Sequence, residues 1–149
     1  MFLLDSCAII AFLMDENGAD EVARCFESGE CCTLSINYME IFLDLLRRRN
    51  TLEVDAIVDD LNKLFTCKGI KVIESVPVAV AQTAALRKHE VTHSRDERGK
   101  KRTISWGDCF VYAFAEEYGM TLVTGDHEFL YLADIHPNVS VQFFKESTI

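Results

Sequence analysis

The chain has 149 residues, 49% of them hydrophobic and 26% charged, which is long enough for one domain with a proper core and too apolar for a disordered chain. Fifteen basic against 24 acidic residues leave a net charge of −9, a balance that by itself disfavours a nucleic-acid partner. No apolar run reaches the roughly 18 to 20 residues that span a bilayer; Met1-Phe-Leu-Leu-Asp5 also lacks the basic segment and cleavage site of a signal peptide, so a cytoplasmic protein with no membrane association is expected.

Residues 2–4 form a short continuous apolar run, the pattern of a buried strand, and the run ends on Asp5. Ser6 is placed to cap a helix over Ala8 to Met14. Asn17-Gly18 turns the chain into a second helix from about Asp20 to Glu27, which Ser28-Gly29 stops. Cys31 to Leu34 reads as a second strand. Ser35 then caps a long helix ending in Arg47-Arg48-Arg49, where positive charge suits the C-terminal dipole. The spacing of Leu52, Ile57, Leu61, Leu64 and Phe65 predicts a helix over 52–65, followed by a strand from Lys71 to Ser75. Pro77 opens another helix, continuing to about His89, at a position that tolerates a missing N–H. The segment from Val91 to Arg102 is polar, charged and without periodicity, the signature of a mobile loop. Ser105 begins a helix that ends at Tyr118-Gly119, with the glycine as C-terminal cap. Thr121 to Val123 is a strand, Asp126 to Tyr131 a turn and short helix, and Val139 to Phe144 a final strand. Strands alternating with helices of this length predict an α/β fold, in which a mostly parallel sheet of about five strands is covered on both faces. The sequence holds no repeat or linker, so one domain over residues 1–149 is expected.

The six cysteines (Cys7, Cys25, Cys31, Cys32, Cys67 and Cys109) include no C-x-x-C pair. Several lie inside apolar runs, where a reduced thiol behaves as a small hydrophobe, and neither a zinc site nor a disulfide framework is expected. The basic residues are unevenly spread. Arg47–Arg49 and the stretch containing Arg87, Lys88, Arg95, Arg98, Lys100, Lys101 and Arg102 hold ten of the fifteen. Each segment is either a phosphate-binding surface or a solvated helix end or loop.

Four carboxylates carry the functional reading. Asp5 follows the first strand directly and Asp126 follows the Thr121-Leu-Val-Thr-Gly segment in the same way, and ligands of open α/β sheets bind beyond the carboxyl ends of strands. Either residue equally suits a helix cap or a turn. Glu40 shares a helix face with Asn37, Asp44, Arg47 and Arg48; this is a solvated stripe with an Asp44–Arg48 pair, or a stripe whose first turns face a site and whose basic end meets phosphate. Asp108 fits a capping box with Ser105, which explains its position without chemistry. Together, however, all four would gather at one edge of one sheet, where they repel unless protonated or neutralised by a divalent cation. An all-oxygen set suits Mg²⁺ or Mn²⁺.

Leu4-Asp5-Ser6, Ser35-x4-Glu40, Ile104-Ser-Trp-Gly-Asp108 with its Ala-rich helix, and Leu122-Val-Thr-Gly-Asp126-x-Glu128-Phe129 resemble the motifs of a PIN domain, in particular the toxin ribonucleases of VapBC-type toxin–antitoxin pairs. The resemblance spans essentially the whole chain. It implies a Rossmann-like sheet, a Mg²⁺ or Mn²⁺ site on Asp5, Glu40, Asp108 and Asp126, and endoribonuclease activity, together with a homodimer and an antitoxin that covers the site. Ser6 and Thr124 fall on the small hydroxyl positions beside the acids, and Glu128, where Asp is more usual, is assigned an outer, supporting place. Arg47, Arg48, Arg95, Arg98, Lys100, Lys101 and Arg102 are the expected RNA contacts. The implied reaction is in-line attack of an activated water on an RNA phosphodiester. The same fold also serves non-toxin RNA-processing nucleases and catalytically silent binding modules; the four intact acids disfavour a silent module, while these residues do not decide between toxin and RNA-processing nuclease. A haloacid-dehalogenase-like phosphatase would need an aspartate two residues after Asp5, where Cys7 stands. A phosphoacceptor receiver would need one after the third strand, where Ile73-Glu74-Ser75 stands.

Overall fold

A computed structural model of the chain describes residues 1–49 and 54–145. In chain order these form β1 (Phe2–Leu4), α1 (Ser6–Leu13), α2 (Ala19–Ser28), β2 (Cys31–Leu34), α3 (Ser35–Arg49), α4 (Val54–Lys68) and β3 (Lys71–Ile73). They continue with α5 (Val78–His93), α6 (Trp106–Tyr118), β4 (Thr121–Thr124), α7 (Phe129–Ile135) and β5 (Val141–Phe143). Among the described residues the five strands make one sheet in the order β3-β2-β1-β4-β5, parallel at every pairing.

The strands are apolar on both sides, as a sheet covered on both faces requires. Leu3, Cys32, Leu34 and Leu122 point into a core with Val80, Ala84, Val91, Tyr112, Phe129 and Leu132, so α5, α6 and α7 cover that face. Leu4, Cys31 and Val123 point the other way, into a core with Ile9, Val22, Ile41, Leu45, Ile57 and Leu61 from α1 to α4. After β1 the chain builds outward through β2 and β3, then returns to place β4 and β5 on the opposite side. The gap between β1 and β4 is therefore the switch point at which α/β sheets hold ligands.

Several expected boundaries move. Asp5, not Ser6, caps α1, because its own carboxylate accepts from the Ser6 backbone N–H at 2.7 Å. Pro77 is the residue before the first turn of α5, and that helix runs four residues past His89. Val91 is fully buried, so packing extends the helix through a segment whose polar sequence reads as loop. The rest of the expected loop is a hydrogen-bonded turn. Asp96 accepts at Oδ1 from the N–H groups of Arg98 (3.0 Å) and Lys100 (2.7 Å), Gly99 adopts a left-handed φ of 75°, and Arg95 bridges Lys101. The expected helix at 52–65 appears as α4, and Leu52 lies outside the described residues. Helix α6 matches its expectation at both ends, with the full Ser105–Asp108 capping box and Gly119 left-handed at its C-terminus. All six cysteines are free thiols; Cys25, Cys31, Cys32 and Cys109 are buried.

Candidate active site

Asp5 leaves β1 at the switch point and is only 3% exposed. Its N–H continues the ladder to the Val123 carbonyl at 3.0 Å, which fixes the carboxylate against the end of β4. Oδ1 accepts from the Ser6 N–H (2.7 Å) and the Asn37 amide (3.1 Å); Oδ2 accepts from the Thr124 hydroxyl (2.9 Å) and the Cys7 thiol (3.0 Å). Donors of this kind ordinarily lower a carboxyl pKa. Burial outweighs them, and with some repulsion from Asp108 it raises Asp5 to about 6. Burial, with Asp5 beside it, also pushes the Cys7 thiol far up. Cys7 therefore stays protonated and serves as a donor to Asp5, while its sulfur accepts from the Gly125 N–H at 3.1 Å.

Two hydroxyls link Asp5 to the other acids. The Ser6 hydroxyl donates to Glu40 Oε2 at 2.8 Å and lies 3.4 Å from Asp5 Oδ1. The Thr124 hydroxyl donates to Asp5 and accepts from the Asp126 N–H at 3.0 Å. Glu40 stands in the second turn of α3 and reaches the start of α6, where Gly107 makes room: a Cβ there would lie 2.8 Å from Glu40 Oε1. Burial raises the Glu40 pKa, Ser6 counteracts it, and Asp108 adds to it.

Asp108 uses Oδ2 in the capping box, accepting from the Ser105 N–H at 3.2 Å. Burial raises its pKa, and the Asp126 charge contributes in the same direction. Asp126 folds the chain back on itself by accepting from the Glu128 N–H at 2.8 Å. This turn brings Glu128 alongside, where burial and then the charges of Asp126 and Asp108 raise its pKa. One carboxylate oxygen each from Asp108, Asp126 and Glu128 lies within 4.8 Å of the others.

The structure thus gathers Asp108, Asp126 and Glu128 most tightly, while Ser6 and Thr124 tie Asp5 and Glu40 to them. Glu128 stands closer to the centre than its expected outer place. A hard divalent cation fits this set: the donors are all oxygen, the pKa values of Asp5, Glu40, Asp108 and Glu128 are raised, and Oδ1 of the fully buried Asn37 has no hydrogen-bond partner among the described residues.

The basic residues divide. Arg48 pairs with Asp44 and Glu16, both at 2.5 Å, and Arg49 pairs with Asp60 at 2.7 Å. Arg47 is exposed, but seven residues of helix put it roughly 10 Å along α3 from Glu40. Arg102 lies over the Tyr131 ring and pairs with Asp134 at 3.1 Å, which ties it to α7. Arg95 bonds the Gly99 carbonyl at 2.8 Å; Arg98, Lys100 and Lys101 are exposed on the turn. Lys88, counted in sequence only as part of a basic stretch, lies close enough to the acids to lower the pKa of Asp108 and Glu128 against the larger effect of burial.

Sequence reasoning missed the roles of Cys7, Gly107 and Lys88. Cys7 follows Asp5 by two residues and Gly107 immediately precedes Asp108, but neither spacing is a signal without the tertiary contact. Asn37 was visible on the Glu40 face of its helix.

A family model described as PIN domain matches residues 2–135. No curated protein matches the sequence. Three similar solved structures share its fold. VapBC-1 from nontypeable Haemophilus influenzae is 16% identical, with a TM-score of 0.67 over 96% of this chain and 97% of the other. DNA-bound VapBC from Salmonella typhimurium is 15% identical, with a TM-score of 0.66 over 97% and 98%. A toxin–antitoxin complex from Klebsiella pneumoniae is 13% identical, with a TM-score of 0.64 over 98% and 99%.

Proposed function

Because the chain belongs to the PIN domain family, a family of nucleases, we propose that it is a metal-dependent endoribonuclease and the toxin of a toxin–antitoxin pair. The observation that carries the proposal is the group of Asp108, Asp126 and Glu128 oxygens at the switch point, with Asp5 and Glu40 bonded to the same framework. Asp5, Glu40, Asp108 and Asp126 would hold Mg²⁺ or Mn²⁺, with Glu128 beside them. Such an ion supplies the positive charge that draws a phosphodiester onto an acidic site and activates water for in-line attack.

The chain's own residues do the positioning. Thr124 and Cys7 fix one oxygen of Asp5, Ser6 and Asn37 the other, so the carboxylate enters with one orientation. Ser6 holds Glu40, and the capping box holds Asp108. Arg98, Lys100 and Lys101 on the turn are proposed to contact the flanking RNA backbone, together with Arg95 and, at the far end of α3, Arg47. Arg48 and Arg102 would contribute through the ion pairs that shape these surfaces.

The toxin–antitoxin complexes among similar structures support an antitoxin partner, and the resemblance supports a homodimer and a single PIN unit over the chain. No helix among the described residues is long and apolar enough to cross a membrane, and a cytoplasmic location is proposed on the resemblance. The test is cleavage of a single-stranded RNA by purified protein with Mg²⁺ or Mn²⁺, with chelator, and by Asp126→Asn. Loss of cleavage in both of the last two arms is expected. Undiminished cleavage by Asp126→Asn in the presence of metal would overturn the assignment.

A further inference from the structure

We propose that Trp106 is a stacking platform for one base of a single-stranded RNA, at the rim of the acidic site; this rests on the nuclease reading above. Trp106 is the chain's one tryptophan and is 56% exposed. It opens α6, two residues before Asp108, so the capping box that fixes the carboxylate also fixes the backbone that carries the ring. The Lys88 ammonium sits 5.4 Å from the ring centroid and is itself anchored by a hydrogen bond to the carbonyl of the buried Ile104. One face of the indole is therefore taken by a cation, and more than half of the residue is open to solvent.

Val78, Leu86, Met39 and Leu43 are exposed but offer no π-face, and the other exposed ring, Tyr118, lies at the far end of α6 against Phe114. Among the described residues, Trp106 is where an exposed aromatic ring, a fixed cation and a carboxylate of the site come together. That pairing suits a nucleotide: the ring meets the base, and the ammonium faces the negative backbone that the acids themselves repel. Stacking requires an unpaired base, which makes single-stranded RNA or a loop the substrate. Every base has a π-face, so the contact would position a nucleotide without reading its identity.

A single tryptophan makes the experiment direct. A dye-labelled single-stranded oligoribonucleotide is titrated onto the full-length protein in millimolar Ca²⁺, with strand integrity checked on a gel, and a strand of the same length carrying abasic positions serves as the comparison. Binding is read from dye anisotropy and stacking from quenching of the Trp106 fluorescence. The intact strand is expected to quench and the abasic strand to bind without quenching. Trp106→Leu should bind the intact strand roughly 5- to 150-fold more weakly, the range for one stacked base. Trp106→Phe should retain most of the affinity. Both variants should unfold at the parent's temperature.

Tight binding without quenching, with Trp106→Leu binding as well as the parent, overturns the stacking role and leaves the nuclease reading standing. Absence of both binding and cleavage overturns the two together.

Discussion

The clearest consequence of the site's electrostatics is that the metal-free protein should be more stable in mild acid than at neutral pH, and that Asp5 should dominate the difference. Burial raises the Asp5 carboxyl from 3.8 to about 6 in the folded chain. Below the lower value the group is protonated in both folded and unfolded states and costs nothing. Between the two values the folded state holds a proton that the unfolded chain has released, so stability falls as pH rises; above about 6 the full penalty is present. A rise of this size corresponds to about 3 kcal/mol, and in a chain of this length each kcal/mol moves the melting midpoint by roughly 2–4 °C. Asp5→Asn removes the charge but places an amide where Oδ2 now accepts from Thr124 and Cys7, which offsets about half the gain. The midpoint of metal-free Asp5→Asn at pH 8 should therefore exceed the parent's by about 3–6 °C, and the advantage should vanish at pH 4. Differential scanning calorimetry in chelator across pH 4–8 measures this. Millimolar Mn²⁺ at pH 8 should raise the parent's midpoint and raise that of Asp5→Asn by less. A metal-free parent as stable at pH 8 as at pH 5, with no gain in Asp5→Asn, would refute the reasoning.

Gly107→Ala places a methyl 2.8 Å from Glu40 Oε1, a contact the flexible end of the glutamate relieves by moving. Its melting midpoint should stay level or rise, since alanine suits a helix better; steady-state cleavage should nevertheless fall roughly tenfold to a hundredfold as Glu40 is displaced. Thr124→Val removes the donor to Asp5 and the acceptor for the Asp126 N–H, and chemical denaturation should show a loss of roughly 1–3 kcal/mol together with loss of cleavage. Arg98→Ala, Lys100→Ala and Lys101→Ala should leave stability unchanged while each reduces the salt slope of RNA binding by about 0.7 if it meets a phosphate. Arg102→Ala should instead lower the melting midpoint, because it strips the cover from Tyr131 and leaves Asp134 unpaired.

The sequence carried most of this fold because its local and tertiary preferences agree. A three-residue apolar run ending in Asp5 makes a strand only if both its faces are covered, and two cores cover them. Ser105 and Asp108 form their capping box within four residues, so the start of α6 needed no distant partner to be legible. Where a distant partner decides, the reading failed. Val91 sits in a polar stretch and is helical because a neighbouring helix buries it. Arg102 reads as a basic loop residue like Arg98, and its stacking on Tyr131 and pairing with Asp134 depend on α7. The place of Glu128 beside Asp126 follows from a turn set by the carboxylate of Asp126, which spacing alone does not reveal.

The choice of neighbours around the acids bears on why such a site persists in a chain with a net charge of −9. Among the described residues, Asp5, Glu40, Asp108, Asp126 and Glu128 make no ion pair with lysine or arginine, although the structure uses such pairs freely elsewhere, as at Arg48 and Arg87. Hydroxyls, a thiol, an amide and backbone N–H groups hold them instead. Neutral donors orient a carboxylate without cancelling its charge, whereas a guanidinium would do both and leave little for a metal to gain. Lys88, the nearby cation, is turned to the Ile104 carbonyl and the Trp106 ring and makes no bond to the acids. The cost is the raised pKa values and the lost stability above pH 6, which a bound cation would reverse. Replacing Asn37, which donates to Asp5 at 3.1 Å, by lysine would therefore stabilise the metal-free protein at pH 8 only if the longer side chain fits, whereas Asp5→Asn removes the same charge at the cost of the bonds that Oδ2 accepts from Thr124 and Cys7.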